Sequence, residues 1–513
     1  MLALEKVVKS TMVANIMITS KVRRFLLYLF IASPLFIIYN FFSKKEKAFS
    51  STDASTDAIT IVPTVKHLKN YPVSDNTAVQ ILGYYEPGDG GGGLFYWDGL
   101  DTTSFPNEGT IFLSSNQTDG RWKRIYSGAI NVLWFGVKNN DTNPIDNTKR
   151  LQGALDYAGT NRYGLGHIVF FPPGTYAINS TLQIKQEGIH LDGVSGRARS
   201  DSPFTGSVIK CVNVPFGQPA ILIQGNRNQV TNLSIRGNEL NHGNKGKYSE
   251  EAYTENQNPN ICDGIQIKDT SEITLRNLYL EDIRYGINYD FCWNIITEKV
   301  TVRGSYIAFN GATKGNTSLN VGGLSTASTL TSCLAYNAFI GFQIEGVYKT
   351  LSACGCDTIR AGGIGLLIRN ATGLVVTSFG MENALSRGNP PSVTTTYIKV
   401  DDYETDQDGN PKNSHGQVTL LSPRFFSMIG KPHIGIHAKR AKCVTIVGLG
   451  HPFNYPKGNK GALIRNDLEN KSGLQIIGGW IQKNSDLKGN QNVGNYPTNI
   501  TITTQEISLP KIN

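Results

Sequence analysis

The sequence predicts an all-β protein whose main body is a parallel β-helix, and three observations carry that expectation. The first is a repeat. Gly264 opens GIQIKDTSEITLRNLYLED and Gly286, 22 residues on, opens GINYDFCWNIITEKVTVRG; Gly341 and Gly365, 24 residues apart, open GFQIEGVYKTLSACGCDTI and GLLIRNATGLVVTSFGMEN. The second is alternation: Val, Ile, Thr and Tyr recur at every other position over short runs, the period of strands and not of helices. The third is the supply of corners, with 54 glycines in 513 residues and many Asn in between. Gly and Asn adopt the tight turns that a coil needs two or three times per circuit. Units of this kind bury a core only by stacking on one another. The spaced Leu and Asn pattern of a leucine-rich repeat is absent.

In chain order, the first element is the segment FLLYLFIASPLFIIYNFF, residues 25–42, which has 18 residues and no charge. It is preceded by Lys21, Arg23 and Arg24 and followed by Lys44, Lys45 and Lys47. That length suffices for one membrane span, and a small-x-small cleavage site is not evident. The expectation is a transmembrane signal anchor over 25–42, a cytoplasmic segment over 1–24 and a flexible stalk over 43–60. The folded body then lies outside the cytoplasm, or is secreted if the N-terminus is cleaved. Residues 1–47 hold eight basic and two acidic residues, so they supply +6 of the net +9. The remainder is near neutral and carries no nucleic-acid footprint.

Residues 61–128 alternate in short runs around the loop Gly88-Asp89-Gly90-Gly91-Gly92-Gly93. A phosphate loop needs a following Lys-Ser/Thr and a helix, whereas Leu-Phe-Tyr-Trp follows here. This stretch reads as a small β module that covers the open end of the solenoid, where core and strand edges would otherwise be bare. Coils occupy 129–483, and 484–513 forms a tail or edge strand. Seven cysteines lack metal-site spacing and read as small apolar residues inside coils. No metal or cofactor is expected.

From Ile130 the chain reads INVLWFGVKNNDTNPIDNTKRLQGALDYA and then GHIVFFPPGTYAINSTLQI. Phe135-Gly136-Val137-Lys138, Asp146, Thr148, the helical Leu151-Gln152-Gly153-Ala154-Leu155-Asp156 and Phe171-Pro172-Pro173-Gly174-Thr175-Tyr176 resemble the opening segment of the pectate-lyase superfamily. Its members include polygalacturonase-like and rhamnogalacturonan-degrading enzymes and phage tailspikes or capsule depolymerases. Asn139-Asn140-Asp141 and Asp146-Asn147 stand where that family has Gly-Asp-Gly and paired aspartates. The GYYEPGDGGGGLFYWD and GRWKRI module is similar to the leader of tailspike-like chains. The resemblance implies a single-stranded, right-handed parallel β-helix with a capping α-helix, a polysaccharide substrate and, in tailspike-like relatives, trimers; the sequence leaves a homotrimer open. The motif residues themselves have a structural explanation, since the helix caps the first coil.

Chemistry is expected on the outer face of the coils, where equivalent positions lie about 4.8 Å apart and form columns. Counted from each coil's glycine, Glu281 stands at +17, Asp357 at +16 and Glu382 at +17. With Asp282 and Asp263 they make the candidate catalytic carboxylates, because glycoside hydrolysis needs two carboxyl groups flanking one bond. The leading pairing is Glu281 or Asp282 as acid with Asp357. Arg284, Tyr285, Tyr289, Trp293, Glu345 and Arg360 are the candidate substrate-binding residues. Lys268, Asp290, Glu345 and Arg369 share the +4 phase and read as a ladder of mixed charge on a solvated face. Motif sets of the polygalacturonase type are incomplete: Asp401-Asp402 lies late, and Gly450-His451 precedes Pro452. The expected activity is hydrolysis of a surface or extracellular polysaccharide. The alternatives are a non-catalytic carbohydrate-binding helix, and a lyase or epimerase on uronates that would bring in calcium.

Overall fold

A computed structural model describes residues 59–74, 77–140, 144–160, 167–195, 205–237, 260–311, 324–347, 349–357, 359, 362–382, 394–402, 416–425, 433–451, 462–468, 473–483, 492–495, 500–501 and 506–508. The chain divides into two units at Ile59–Thr60, and the second, Thr60–Asn513, is compact. The expected membrane span 25–42, with 1–24 and nearly all of the stalk, lies outside the described residues. Among the described residues no helix is long and apolar enough to cross a membrane.

The second unit opens with a five-stranded sheet in the order Thr60–Val62, Ala78–Ile81, Gly93–Asp98, Arg121–Ile125, Ile111–Phe112. The last four pair antiparallel and the first pairs parallel at the edge. Its core is Phe95, Trp97, Phe112 and Trp122 with the apolar face of the short helix α1, Val65–Lys69. The glycine loop is held from below by Arg124, whose guanidinium is almost fully buried and donates to the carbonyls of Gly91, Gly92 and Gly109. A Cβ on Gly93 would lie 2.0 Å from that guanidinium, so glycine is required there. This loop is therefore a structural cradle for one arginine.

The rest is a 30-stranded, mainly parallel sheet wound into coils. Each coil lays down three strands. The first face begins with Ile168–Phe170 and His190–Asp192, the second with Gly174–Ile178 and Ser207–Cys211, and the third with Leu182–Ile184 and Pro219–Ile223. Thr274–Trp293 and Ile296–Gly311 run continuously round all three faces.

Period-two alternation sends one set of side chains inward. On the third face Ile221, Ile265, Ile287, Phe309, Phe342, Leu366, Ile398, Ile436 and Ile464 stack in register through the centre. Burying each such side chain contributes about 1.5–3 kcal/mol. Between the first and second faces one residue per coil turns the chain in the left-handed region. Asn232, Asn277, Lys299, Ser332, Ala353, Ser378, Ser422, Gly448 and Gly478 occupy it with φ between 49° and 65°. The amides of Ser332, Ala353, Ser378 and Ser422 each bond the carbonyl of the following coil, so the bend is propagated by backbone hydrogen bonding.

Helix α2, Pro144–Ala158, closes the first coil and buries Leu151, Ala154, Leu155 and Ala158. The motif residues around it are structural. Asn147 bonds both the amide and the carbonyl of Lys138, Thr148 bonds Asn179, and the Tyr176 hydroxyl donates to the Pro172 carbonyl. At the far end Asn492–Asn495, Ile500–Thr501 and Glu506–Ser508 pair antiparallel with the last coil. All seven cysteines are free thiols, and six are buried.

Candidate active site

The second face ends, coil after coil, in one outward position. Ala177, Lys210, Arg236, Glu281, Arg303, Tyr336 and Asp357 occupy it in unbroken register. Glu382 is the next rung, because its neighbour Met381 pairs with Cys356 and its own amide donates to the Cys356 carbonyl at 3.0 Å. The preceding residues Ile235, Leu280, Val302, Ala335, Cys356 and Met381 point into the core, which fixes the ladder as outward-facing. Asp357 is half-buried and Glu382 is exposed. Two carboxylate-bearing residues therefore sit on adjacent rungs, whose strands lie about 4.8 Å apart.

The counting that placed these residues at one phase does not pair them as expected. Glu281 lies three rungs from Asp357, about 14 Å by the strand spacing, too far to flank one bond with it. Glu281 is 1% exposed and its carboxylate faces Arg303 at 3.6 Å. Asp282 is buried in the following turn with φ 57°, packed toward Gly304 of the next coil, and does not reach the outer ladder. Asp263 is bound on both oxygens by Arg284, each at 2.8 Å, and accepts the Tyr285 amide. Burial pushes the Asp263 carboxyl above its ordinary value, against the pull of Arg284. Both members of this pair are thereby committed to the fold, and Arg284 further packs over Phe216 and Tyr285.

The aromatic candidates separate. Tyr289 is fully buried, with its hydroxyl bonded to Thr297, and offers no face to a sugar. Trp293 is 41% exposed but stands at the corner between the third and first faces, against Phe291. Tyr285 alone lies at the corner that follows the carboxylate ladder. There it heads a row the sequence reading missed: Tyr285, Tyr306 and Phe339, with centroids 6.3 and 5.5 Å apart, the second pair nearly parallel. All three are half-buried. The signal was present, since these aromatics follow Glu281, Arg303 and Tyr336 by three or four residues in consecutive coils. Ile307, Ile340 and Leu367 pack beneath them as a cluster separate from the main core.

Glu345 is buried on the third face, in register with Arg369, and Lys268 is in register with Asp290. The +4 phase is thus a ladder of opposite charges. Arg360 lies outside the described residues. Among the described residues no group of three or more metal-ligating side chains occurs.

Comparison with known proteins follows this division of the chain. Residues 61–127 match the model of the phage tail protein small four-stranded beta-sheet domain, and 129–333 match that of rhamnogalacturonase A/epimerase, pectate lyase-like. A capsule K2-specific depolymerase of Klebsiella phage vB_KpnP_KpV74 is 30% identical over 153 residues, 29% of this chain and 25% of that protein. The chain thus spans about a quarter of that relative's length. The tailspike gp42 of Acinetobacter phage vb_AbaP_AS12 superposes with a TM-score of 0.52 at 12% identity, covering 85% of this chain and 76% of that one. The enzymatically active domain of bacteriophage CBA120 tailspike protein 4 gives 0.50 at 12% identity, covering 83% and 53%. These two superpositions establish a shared fold.

Proposed function

We propose that the chain is a parallel β-helix protein of the pectate-lyase superfamily, and that it is a polysaccharide depolymerase that hydrolyses glycosidic bonds along the second face. The observation that carries this reading is the adjacent pair Asp357 and Glu382. Retaining glycosidases hold their two carboxyl groups about 5–5.5 Å apart, and inverting ones about 6.5–9.5 Å. One rung of a β-helix supplies the smaller separation. Asp357, the more buried of the two, is assigned as the acid that protonates the leaving oxygen, and exposed Glu382 as the nucleophile. Tyr285, Tyr306 and Phe339 supply apolar faces beside the ladder on which sugar rings stack. The name of the Klebsiella phage relative, a capsule depolymerase, supports a glycan as substrate.

Residues 25–42 are proposed to tether this body to a membrane, on the strength of their uncharged length and basic flanks. The test of the enzymatic reading is incubation of the full-length chain with a panel of bacterial capsular and extracellular polysaccharides. Viscosity and reducing ends are followed together. At least one polysaccharide should lose viscosity while gaining reducing ends. Retention of intact polymer bound to the protein, with no product from any of them, would replace the enzyme by a binding protein.

A further inference from the structure

Just inside the bend between the first and second faces, one core position recurs in register from coil to coil. Leu233, Leu278, Val300, Cys333, Cys354 and Phe379 occupy it, and all are buried. Large apolar side chains fill the coils on either side. In the middle of the column, two small thiols stand on consecutive rungs.

The spacing of those rungs is fixed on both sides of the pair. Thr331 pairs with Ser352 and Leu334 with Gly355, and the Gly355 amide donates to the Cys333 carbonyl at 3.0 Å. Neighbouring strands lie about 4.8 Å apart, which falls inside the roughly 4.4–6.8 Å between Cα atoms that a disulfide spans. The two side chains also point the same way. The Cys333 sulfur lies 3.5 Å from the Thr297 carbonyl and the Cys354 sulfur 3.4 Å from the Leu330 carbonyl, and Thr297 and Leu330 are themselves partners in register. The thiols are thus copies of one another translated by one rung, and they hydrogen-bond each other. Burial pushes the Cys333 thiol up, as does its bond to Cys354, whereas the bond from Cys333 holds the Cys354 thiol below its ordinary value. Cys354 is therefore the sulfur that ionises first, and a thiolate is the nucleophile of disulfide exchange. A thiol is only a weak donor, so turning either sulfur away from its carbonyl and toward its neighbour costs little.

We propose that Cys333 and Cys354 are a disulfide site, closed by a small disulfide oxidant as the coils stack. The Cys354 thiolate attacks one sulfur of the oxidant, forming a mixed disulfide and releasing one thiolate. The Cys333 thiolate then attacks the Cys354 sulfur, which forms the bond between coils and releases the second. Two protein thiols are oxidised, one disulfide is reduced to two thiols, and the two protons pass to the released sulfurs. Because both cysteines are buried in the folded chain, the exchange belongs to folding, before the column closes. Cys333 and Cys354 immediately precede the three-residue strands Leu334–Tyr336 and Gly355–Asp357, so the bond clamps the rung of Asp357 to the one before it. The supply of an oxidant to the folding chain rests on the export reading of residues 25–42, whereas the pairing does not.

The experiment unfolds the full-length chain in urea with dithiothreitol and refolds it in detergent with a mixture of oxidised and reduced glutathione. Remaining thiols are blocked with N-ethylmaleimide, and the unreduced digest is mapped by mass spectrometry. The peptides holding Cys333 and Cys354 are expected as one linked species, two hydrogens lighter than the free pair. The chain should melt about 2–4 °C above the same chain refolded in dithiothreitol. Cys333→Ala and Cys354→Ala should each abolish the linked species and the difference in Tm, and Cys292→Ala, a buried thiol outside this column, should keep both. The wild-type map decides the question even if an alanine variant fails to fold. Maleimide on both Cys333 and Cys354 after refolding in glutathione, or linkage of either to another cysteine, overturns the site. Blocking thiols at the moment of lysis in cells that make the full-length chain reports separately on export: free thiols there, with the bridge present after refolding, count against the export reading and support the pairing.

Discussion

Glu281 and Glu382 occupy the same outward column, yet their surroundings make them different kinds of residue. Around Glu281 the column is sealed and charge-matched: the residue is 1% exposed, Arg303 stands on the next rung, and Asp263 with Arg284 forms a bidentate pair at the start of the neighbouring strand. Glu382 itself is exposed, and the rung beside it carries another carboxylate. Like charges directly opposite one another in a ladder destabilise it. A buried acid facing an arginine serves the fold, whereas two acids on neighbouring rungs repel one another. Such local costs concentrate where a protein does chemistry.

The sharpest way to break this contrast is to neutralise each carboxylate in turn. Asp357→Asn or Glu382→Gln should lower kcat about 10²–10⁴-fold, the range a positioned acid or base contributes, with an unchanged or slightly raised Tm. Glu281→Gln should do the reverse in an assay of reducing ends, leaving turnover near wild type while lowering stability by about 1–3 kcal/mol. Equal loss of activity in all three variants would erase the distinction.

Removing one partner of the buried pair comes next. Arg284→Met strands the Asp263 carboxylate and should cost about 3–5 kcal/mol in urea unfolding, with much of it recovered by adding Asp263→Asn. A third case tests burial without matching. Lys349 is 2% exposed, its Nζ makes no hydrogen bond to a described residue, and burial pushes its ammonium down to about 7. Between that value and the ordinary 10.5 the unfolded chain holds the proton that the folded chain has lost, so stability should rise with pH across this window. Lys349→Met should stabilise the fold by about 1–4 kcal/mol below pH ~7, and the gain should vanish toward pH ~10 in a calorimetric series. The smallest effect is expected from Tyr306→Ala. It removes the middle of the aromatic row and should raise KM for the polymer several-fold, about 1 kcal/mol, with kcat nearly intact.

Much of this was legible in the sequence because the governing interactions are local. Coil length and period-two alternation set the phase, and the +16 and +17 positions do fall on one ladder with Glu281, Asp357 and Glu382. Tyr289 could have been placed as well, since the +3 phase it shares with Ile267, Ile344 and Ile368 points inward. Phase does not report adjacency. Insertions of unequal length separate the coils, so a count could not show that two rungs intervene between Glu281 and Asp357 while none intervenes between Asp357 and Glu382. Nor could it show that Asp263 is taken by Arg284, because that bond joins two coils.

The claim that adjacent rungs form the catalytic pair is tested most directly by the stereochemistry of the product. Proton NMR of a polymer as it is cleaved by the full-length chain should show new reducing ends appearing first with the anomeric configuration of the broken bond, as a separation near 5 Å requires. Appearance of the opposite anomer first, or of an unsaturated sugar in place of a hydrolysis product, would contradict the account.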